Sequence, residues 1–352
     1  MALQYDAPSS RSDFQAALSA NPTLSSATSA AISQILGETE TVSVGAFDGT
    51  TLQAANPGSV NAVVATIAGG VGDKVIINLP AEAMASASAW VFNSDADLSV
   101  RFNTVERVIA SGNGNDEITV AGDKNTTLDG ADGNDTLTTS GGDDSVTGAA
   151  GDDSISTGAG NDTIVAGEGN DTIDAGTGFD VVQMTGASAD YTFGVVDGKV
   201  VASHVSDTSL SVTVSNGEIF TFGGGDNVVV TENATAANAM RMYGALFDRA
   251  PDAEGAEYWL ELVDNGTLSL KQVADYFLES PEFKSKGELA NDEYIELLYV
   301  NGLGRASDAE GKAFWVNAME QGLDEGSVLI EFVGSAGAAE EITNVLIVTG
   351  QV

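Results

Sequence analysis

A nine-residue unit recurs eight times between Ser111 and Gln183, with one extra residue, Val120, after the first copy. Its sixth position carries aspartate in seven of the eight copies. Carboxylate oxygens repeated at a constant spacing suit a hard cation, and Ca²⁺ prefers roughly six to eight carboxylate and carbonyl oxygens. The candidate metal-ligating aspartates are Asp116, Asp135, Asp144, Asp153, Asp162, Asp171 and Asp180.

The fourth position of the unit is glycine in seven of the eight copies. Glycine permits a tight turn with positive φ that aims main-chain carbonyl oxygens at a bound ion. The candidate metal-binding glycines are Gly114, Gly133, Gly142, Gly151, Gly160, Gly169 and Gly178. The eighth position is aliphatic in every copy, which predicts a short strand whose side chain points into a core.

This unit resembles the RTX nonapeptide, a calcium-binding repeat that forms a parallel β-roll. The resemblance implies that two units make one turn and that each ion lies between a unit and the second unit after it. About five Ca²⁺ ions are then expected. The implied pairs are Asp116 with Asp135, Asp135 with Asp153, Asp144 with Asp162, Asp153 with Asp171, and Asp162 with Asp180.

The second unit departs from this pattern, because Lys124 and Thr126 stand where glycine and aspartate are expected. We therefore do not count a site between Thr126 and Asp144. Residues 111–183 hold 15 acidic residues and one basic residue, so their carboxylates repel one another without a cation. We expect this segment to fold only with calcium. A flexible acidic linker is the alternative, but it gives no reason for an aliphatic residue in every unit.

The composition of the 352-residue chain argues against several classes of protein. It has a net charge of −39, no cysteine and one histidine, His204, which we interpret as a surface strand residue. Disulfides, thiol nucleophiles and cysteine-based metal sites are thereby excluded. The acidic balance argues against nucleic acid or anionic lipid as a partner, and no apolar run is long enough for membrane insertion. Hydrolase, zinc-protease and phosphate-loop motifs are missing from the sequence. We therefore predict no catalytic residues, no organic cofactor and no enzyme activity.

The predicted fold class is mainly β plus α: a right-handed parallel β-roll or β-helix solenoid with calcium-binding turns, then an all-α C-terminal domain. Strands before the roll are predicted at Val42–Phe47, Ala62–Ile67, Lys74–Leu79, Trp90–Asn93, Leu98–Phe102 and Arg107–Ala110. After the roll they are predicted at Tyr191–Val195, Lys199–His204, Leu210–Val214 and Ile219–Phe222, with hairpin turns at Asp197-Gly198 and Asn216-Gly217.

We divide the chain into five segments. They are a short N-terminal helical segment (1–40), an irregular ion-free β-solenoid lead-in (41–110), the calcium β-roll (111–183), a β-hairpin cap (184–230) and a duplicated α-helical domain (231–352). The helical stretch at 12–36 is expected to pack on the roll or on another copy of the chain. Helices in the last segment are predicted at 233–248, 252–264, 270–280, 291–302, 308–320 and 325–334, with capping boxes at Ser269 and Ser307.

The helical segment repeats a pattern of tyrosine, arginine, aspartate, glycine and tryptophan after 56 residues. The matched pairs are Tyr243 with Tyr299, Arg249 with Arg305, Asp252 with Asp308, Gly255 with Gly311, and Trp259 with Trp315. The pattern resembles a domain of uncharacterised function found beside RTX repeats in secreted and surface-layer-type bacterial proteins. The resemblance covers about residues 240–340, but in the second copy Ser307 replaces Pro251, and Gly334-Ser335 falls where Ser280-Pro281 is expected. We expect the aromatic residues to be core, with a sugar- or partner-binding pocket as the alternative.

Taken together, these features indicate a secreted, self-assembling bacterial structural protein, a subunit of a surface-layer lattice or a filament. Its expected partners are other copies of itself and cell-surface polysaccharide. The resemblance implies type I secretion without a cleaved N-terminal signal, and the apolar stretch from Val345 is the candidate C-terminal signal. The alternative is an RTX adhesin or matrix protein that binds a glycan or a surface through its helical domain.

Overall fold

The structure, a computed structural model, describes residues 9–21, 24–37, 41–54, 56, 59–103 and 107–349. The remainder of the predicted N-terminal segment and the last residues of the candidate secretion signal lie outside this described part. The described chain forms two compact units, residues up to 185 with 190–217, and residues 186–189 with 218–349. Our five-segment division stays a prediction.

The first unit is a β-solenoid with two sheets. One sheet has the order β18-β19-β20-β16-β14-β12-β10-β8-β6, and the other runs from β17 through β15, β13, β11, β9, β7, β5 and β3 to β4. The strands are β1 Ser9–Ser10, β2 Thr41–Val42, β3 Val44–Phe47, β4 Leu52–Gln53, β5 Ala62–Thr66, β6 Lys74–Ile77, β7 Ala89–Asn93, β8 Asp97–Phe102, β9 Arg107–Ala110, β10 Glu117–Val120, β11 Thr126–Asp129, β12 Thr136–Thr138, β13 Ser145–Ala150, β14 Ser154–Ser156, β15 Thr163–Glu168, β16 Asn170–Asp174, β17 Val181–Gln183, β18 Tyr191–Val196, β19 Lys199–His204 and β20 Ser211–Ser215.

The nonapeptides alternate between the two sheets, so two of them complete one turn. Leu137 of β12, for example, lies opposite Ile118 of β10 and Ile155 of β14 in parallel register. The eighth-position side chains all point inward and are at most 2% exposed. Each buried aliphatic side chain contributes roughly 1.5–3 kcal/mol to folding. The predicted β-solenoid and the inward aliphatic row are confirmed.

Two N-terminal helices, α1 Arg11–Ser19 and α2 Ser26–Ile35, pack on the roll rather than standing away from it. Phe14, Leu18 and Ile32 are buried in one cluster with outward-facing residues of β3, β5, β7 and β9. The hydroxyl of Thr28 donates to the buried Asp129 carboxylate of β11 at 2.5 Å. The segment therefore packs mainly on the strands before the calcium roll and contacts the roll at β11, while packing on another copy stays a prediction.

A buried arginine stabilises the ion-free turns before the repeats. Arg107 is 1% exposed and donates to the main-chain oxygens of Met84 and Ala87, at the end of a short helix, α3 Ala81–Ser86. Desolvation lowers the pKa of Arg107 to about 10. The sequence analysis missed α3, because its six residues are too few for a helical period to be read.

The end of the roll is partly as predicted. β18 and β19 form an antiparallel hairpin around Asp197 and Gly198, both at positive φ as a primed turn requires. The second predicted hairpin, at Asn216-Gly217, is wrong. β20 pairs with β19 and β16, whereas the next strand, β21 Ile219–Thr221, pairs with β22 Val228–Thr231 in the second unit. Asn216 makes a positive-φ turn, but the strands on its two sides belong to different units.

The second unit contains helices α4 Ala234–Phe247, α5 Ala253–Asp264, α6 Leu270–Glu279, α7 Pro281–Lys284, α8 Asn291–Leu303, α9 Ala309–Glu320, α10 Glu325–Val333 and α11 Ala336–Glu341. All six predicted helices are present, and α7 and α11 are additional. Val345–Ile347, at the start of the candidate secretion signal, is a strand, β23, parallel to β22.

The capping box predicted at Ser269 is present, but the one at Ser307 is wrong. Asp308 begins α9 instead, and its carboxylate accepts the Gly311 N–H at 2.8 Å. The Ser307 hydroxyl donates to Glu296, so it is not available to cap the helix.

Candidate metal centre

The repeat aspartates form two ladders along the roll. In the first, Oδ1 of Asp135 accepts the main-chain N–H of Asp116, Asp153 accepts that of Asp135, and Asp171 accepts that of Asp153, all at 2.8–2.9 Å. In the second ladder, Asp162 accepts from Asp144 and Asp180 accepts from Asp162, at 2.7–2.8 Å. Every aspartate pair that the resemblance implied therefore lies in adjacent turns.

The seven repeat aspartates are 0–3% exposed. Their Oδ1 atoms are used in the ladders, but Oδ2 has no hydrogen-bond partner in Asp116, Asp135, Asp144, Asp153, Asp162 and Asp171. The Thr139 and Thr157 hydroxyls lie close to the Asp144 and Asp162 carboxylates, but they donate to main-chain oxygens one turn away. A buried, unpartnered carboxylate oxygen is costly unless a positive charge lies beside it.

Burial raises the pKa of these carboxyl groups, and neighbouring carboxylates add to the effect. The pKa of Asp135 rises to about 9, those of Asp116 and Asp153 to about 7, and those of Asp144 and Asp171 to about 6, while that of Asp162 also rises. Near neutral pH and without a cation, Asp135 is therefore mainly protonated and Asp116 and Asp153 are partly protonated in the folded roll.

The glycines of the fourth position leave no room for a side chain. A Cβ at Gly151 would overlap the main-chain oxygen of Gly133, one turn away, and a Cβ at Gly160 would overlap that of Gly142. Both glycines also have positive φ, as do four of the other five predicted glycines. Gly114 is the exception, and there only the overlap with the Ala96 oxygen requires glycine. Main-chain oxygens are thus held at the same turns as the buried aspartates.

A Cβ added at Gly130 would also meet Oδ2 of Asp135, and a Cβ added at Gly148 would meet Oδ2 of Asp153. Among the described residues, no site brings three or more acidic or histidine side chains together. A calcium ion needs about six oxygen ligands or more, so main-chain oxygens would have to supply most of them.

The departure in the second unit is visible in the structure. Thr126 keeps the ladder hydrogen bond, since its N–H donates to Oδ1 of Asp144 at 2.7 Å. It supplies no carboxylate, and its hydroxyl donates to the main-chain oxygen of Lys124. The backbone of the ladder therefore continues through this unit while one acidic ligand is lost.

A second row of polar side chains was missed. The residue before each ladder aspartate, mostly asparagine or aspartate, accepts the N–H of the equivalent residue one turn later. Asn134 accepts from Asp152, Asp152 from Asn170, and Asn161 from Phe179, at 2.8–3.0 Å. The signal was the Asn/Asp preference at the fifth position. These side chains are exposed. Their hydrogen bonds therefore stabilise the stacking of adjacent turns without burying a charged group.

His204 accepts the Asp207 N–H at Nδ1 and is half-buried in β19, which agrees with its interpretation as a strand residue. In the second unit, the duplicated residues form two similar clusters. Arg249 lies over the Tyr243 ring at 4.9 Å and Arg305 over Tyr299 at 5.0 Å, each near the aspartate that begins the next helix. Tyr243 and Tyr299 are buried as expected, whereas Trp259 and Trp315 are only half-buried.

The two clusters differ in one ion pair. Arg249 makes a bidentate pair with Glu282, at 2.8 and 2.9 Å. The Ser280 and Ser335 hydroxyls both bond the main-chain oxygen of the residue three positions earlier. Ser335, not Gly334, is therefore the counterpart of Ser280. In that register Gly337 stands in the place of Glu282.

Comparison with known families agrees with this geometry. The model of the RTX calcium-binding nonapeptide repeat (4 copies) matches residues 120–155 and 147–182. A model described as a domain of unknown function, DUF4214, matches residues 231–287 and 274–342. A search of curated proteins found no match. The chain therefore carries calcium-binding RTX repeats followed by a DUF4214 helical domain.

The residues present fit a hard dication. The buried carboxylate oxygens and the main-chain oxygens at the glycine turns are the donor set that Ca²⁺ prefers. When bound, calcium neutralises the carboxylates, and RTX repeat proteins are typically secreted into calcium-containing surroundings. None of the helices in the described ranges is both long and apolar enough to cross a bilayer.

Replacing Asp153 with asparagine should change the two states of the roll in opposite directions. Asp153→Asn removes a carboxylate ligand, so we expect calcium affinity to fall about tenfold or more. It also removes a buried charge, so the free energy of unfolding of the calcium-free roll should increase. Titration calorimetry and circular dichroism in chelator measure the two effects.

The matched control is Asp152→Asn, which makes the same charge change at the adjacent, exposed residue. Asparagine there still accepts the Asn170 N–H, so neither measurement should change much. Equal effects of the two substitutions would contradict the assignment of Asp153 as a ligand.

Acidification should fold the calcium-free roll. The folded-state pKa values of Asp135, Asp116 and Asp153 lie above the ordinary value of 3.8, so the folded state binds more protons. Stability should therefore rise as pH falls from about 9 toward 5, and calcium affinity should fall over the same interval. Circular dichroism in chelator, repeated at high salt to screen surface charge, measures this. Loss of β structure on acidification would refute it.

Proposed function

We propose that this protein is a secreted, calcium-dependent, self-assembling extracellular structural protein of a bacterium, a subunit of a surface-layer lattice or a filament. The observation that carries the proposal is the double ladder of buried aspartates, because the unpartnered oxygens of Asp116, Asp135, Asp144, Asp153, Asp162 and Asp171 call for cations between the turns. The RTX family match supports a secreted, calcium-binding protein, and RTX β-rolls are typically structural.

Calcium-dependent folding makes such a protein rigid only where calcium is present. The ladders tie each turn to the next, so neutralising the carboxylates orders a row of stacked turns rather than a single loop. Extracellular calcium modules bind at about 10⁻⁴–10⁻³ M, which matches folding after export. A stiff solenoid made of repeated, stacked turns is a suitable building block for a lattice or a fibre.

The test is assembly measured against calcium. We expect light scattering to rise, and ordered sheets or fibres to appear by negative-stain microscopy, when chelator is replaced by Ca²⁺ up to about 10 mM. The control is Mg²⁺ at equal concentration, which screens charge but favours a smaller octahedral site. A calcium-folded protein that stays monomeric at high concentration would refute the proposal.

A second candidate is an adhesin whose helical unit binds a saccharide. Tyr258 and Phe314 occupy equivalent positions of the duplication and are 57% and 63% exposed, whereas most large apolar residues there are buried. Exposed aromatic side chains of this kind mark binding surfaces. On a glycan array, an adhesin would show a saccharide preference that Tyr258→Ala or Phe314→Ala weakens at least several-fold. A lattice protein would show none.

A further inference from the structure

The exposed large apolar side chains of the first unit lie only at the two ends of one sheet, among the residues the structure describes. Val71 and Ile76, 80% and 75% exposed, lie just before and within β6. Val195, Val196 and Val205, 48–63% exposed, lie in β18 or directly after β19. The calcium-binding turns between these ends have none.

β6 and β18 are the terminal strands of that nine-stranded sheet. A terminal strand offers one side of its backbone to a further strand, and soluble proteins usually protect it with charges, proline or a bulge. The sequence of β18, YTFGVV, has neither a charged residue nor a proline. That of β6, KVII, has a single lysine at its start.

The directions of the two strands match. The strands from β6 through β16 to β20 pair in parallel, and β19 and β18 then reverse direction twice. β18 therefore runs the same way as β6. Placing β6 of a second copy beside β18 continues the sheet with the same parallel pairing that stacks the turns of the roll.

The apolar faces match as well. Val75 and Ile77 of β6 lie opposite the inward residues Leu98 and Val100. Phe193 and Val195 of β18 lie opposite the buried Ala202 and Val200. A register that sets Val75 beside Phe193 and Ile77 beside Val195 keeps all four side chains on the inner face.

The same register puts complementary groups together on the outer face. The exposed Ile76 falls opposite Gly194, where a Cβ would have no heavy atom within 4 Å. Lys74, one of only 13 basic residues in the chain, comes near the start of β18, which follows Asp190. In a chain of net charge −39, a lysine at one end and an aspartate at the other favour contact between unlike ends.

We propose that copies of this chain join head to tail, with β18 of one copy pairing in parallel with β6 of the next. This inference rests on the proposed self-assembly and names its interface. Such a contact is heterologous, because each copy uses two different surfaces, and it produces open filaments when the rotation between copies does not close a ring.

Two single substitutions, one at each end, test the pairing. Ile76→Glu puts a carboxylate in place of the apolar side chain opposite Gly194, and Val195→Lys directs a charge to the inner face that docking would bury. Each variant alone should remain monomeric in calcium while showing the calcium-induced circular dichroism change of the wild type. An equal mixture should form a heterodimer of twice the 35.8 kDa monomer mass and nothing larger, since only one intact pair of ends remains.

Cysteine pairing gives an independent measurement in a chain that has no native cysteine. Ile76→Cys and Gly194→Cys both face outward, and adjacent strands lie ~4.8 Å apart, within disulfide range. We expect oxidation in calcium to link the two variants when mixed. Each variant alone is the control and should give little cross-linked product.

The outcomes separate this interface from the proposed function. Wild-type protein that does not assemble in calcium would overturn both. Wild-type assembly together with unchanged assembly of Ile76→Glu and Val195→Lys, or with no mixed disulfide, would overturn only the head-to-tail strand pairing. If a charged variant fails to fold, the cysteine variants decide alone.

Discussion

The first unit depends on burying one carboxylate in seven of its eight nonapeptides, at turns where the side chain is at most 3% exposed. A buried carboxylate is far more costly than a buried amide unless a cation or a proton neutralises it. The glycines follow from this arrangement, because a Cβ at Gly151 or Gly160 would meet the main-chain oxygen of the turn before. The inward aliphatic row stabilises the two sheets, but it does not remove the charge between their turns. At neutral pH we therefore expect calcium to be part of the folded state of this segment.

Much of this unit could be predicted from sequence because its chemistry is periodic. Aspartate, glycine and an aliphatic residue at fixed positions give the turn length, the inward side chains and the candidate ligands. What could not be predicted depends on contacts between distant residues. The Arg107 guanidinium donates to main-chain oxygens at the end of α3. No local sequence pattern reveals these hydrogen bonds. Asn216-Gly217 has the residues of a hairpin turn, but the strands on either side of it do not pair with each other. β20 pairs with β19, and β21 pairs with β22.

The helical unit shows how a duplication can keep its packing and lose an ion pair. The aromatic–arginine contacts of Tyr243 and Tyr299 differ by about 0.1 Å, and both arginines lie near the aspartate that begins the next helix. Only the first has the bidentate glutamate. The loop between α9 and α10 is one residue shorter than the loop between α5 and α6, so Gly337 stands in the place of Glu282. Sequence alignment at a constant offset of 56 could not show this, since the offset changes between the tryptophan and the serine.

The contact between Thr28 and Asp129 has a consequence for the order in which the chain folds. It joins residues 101 positions apart, whereas the ladder bonds join residues 18 or 19 apart. Closing a long loop costs more entropy than closing a short one, so contacts of small sequence separation form first. Turns can therefore be added one after another, each pairing with the turn before it, while the Thr28–Asp129 hydrogen bond cannot form until β11 exists. That bond is thus a late marker that the first repeat turns have reached their final register.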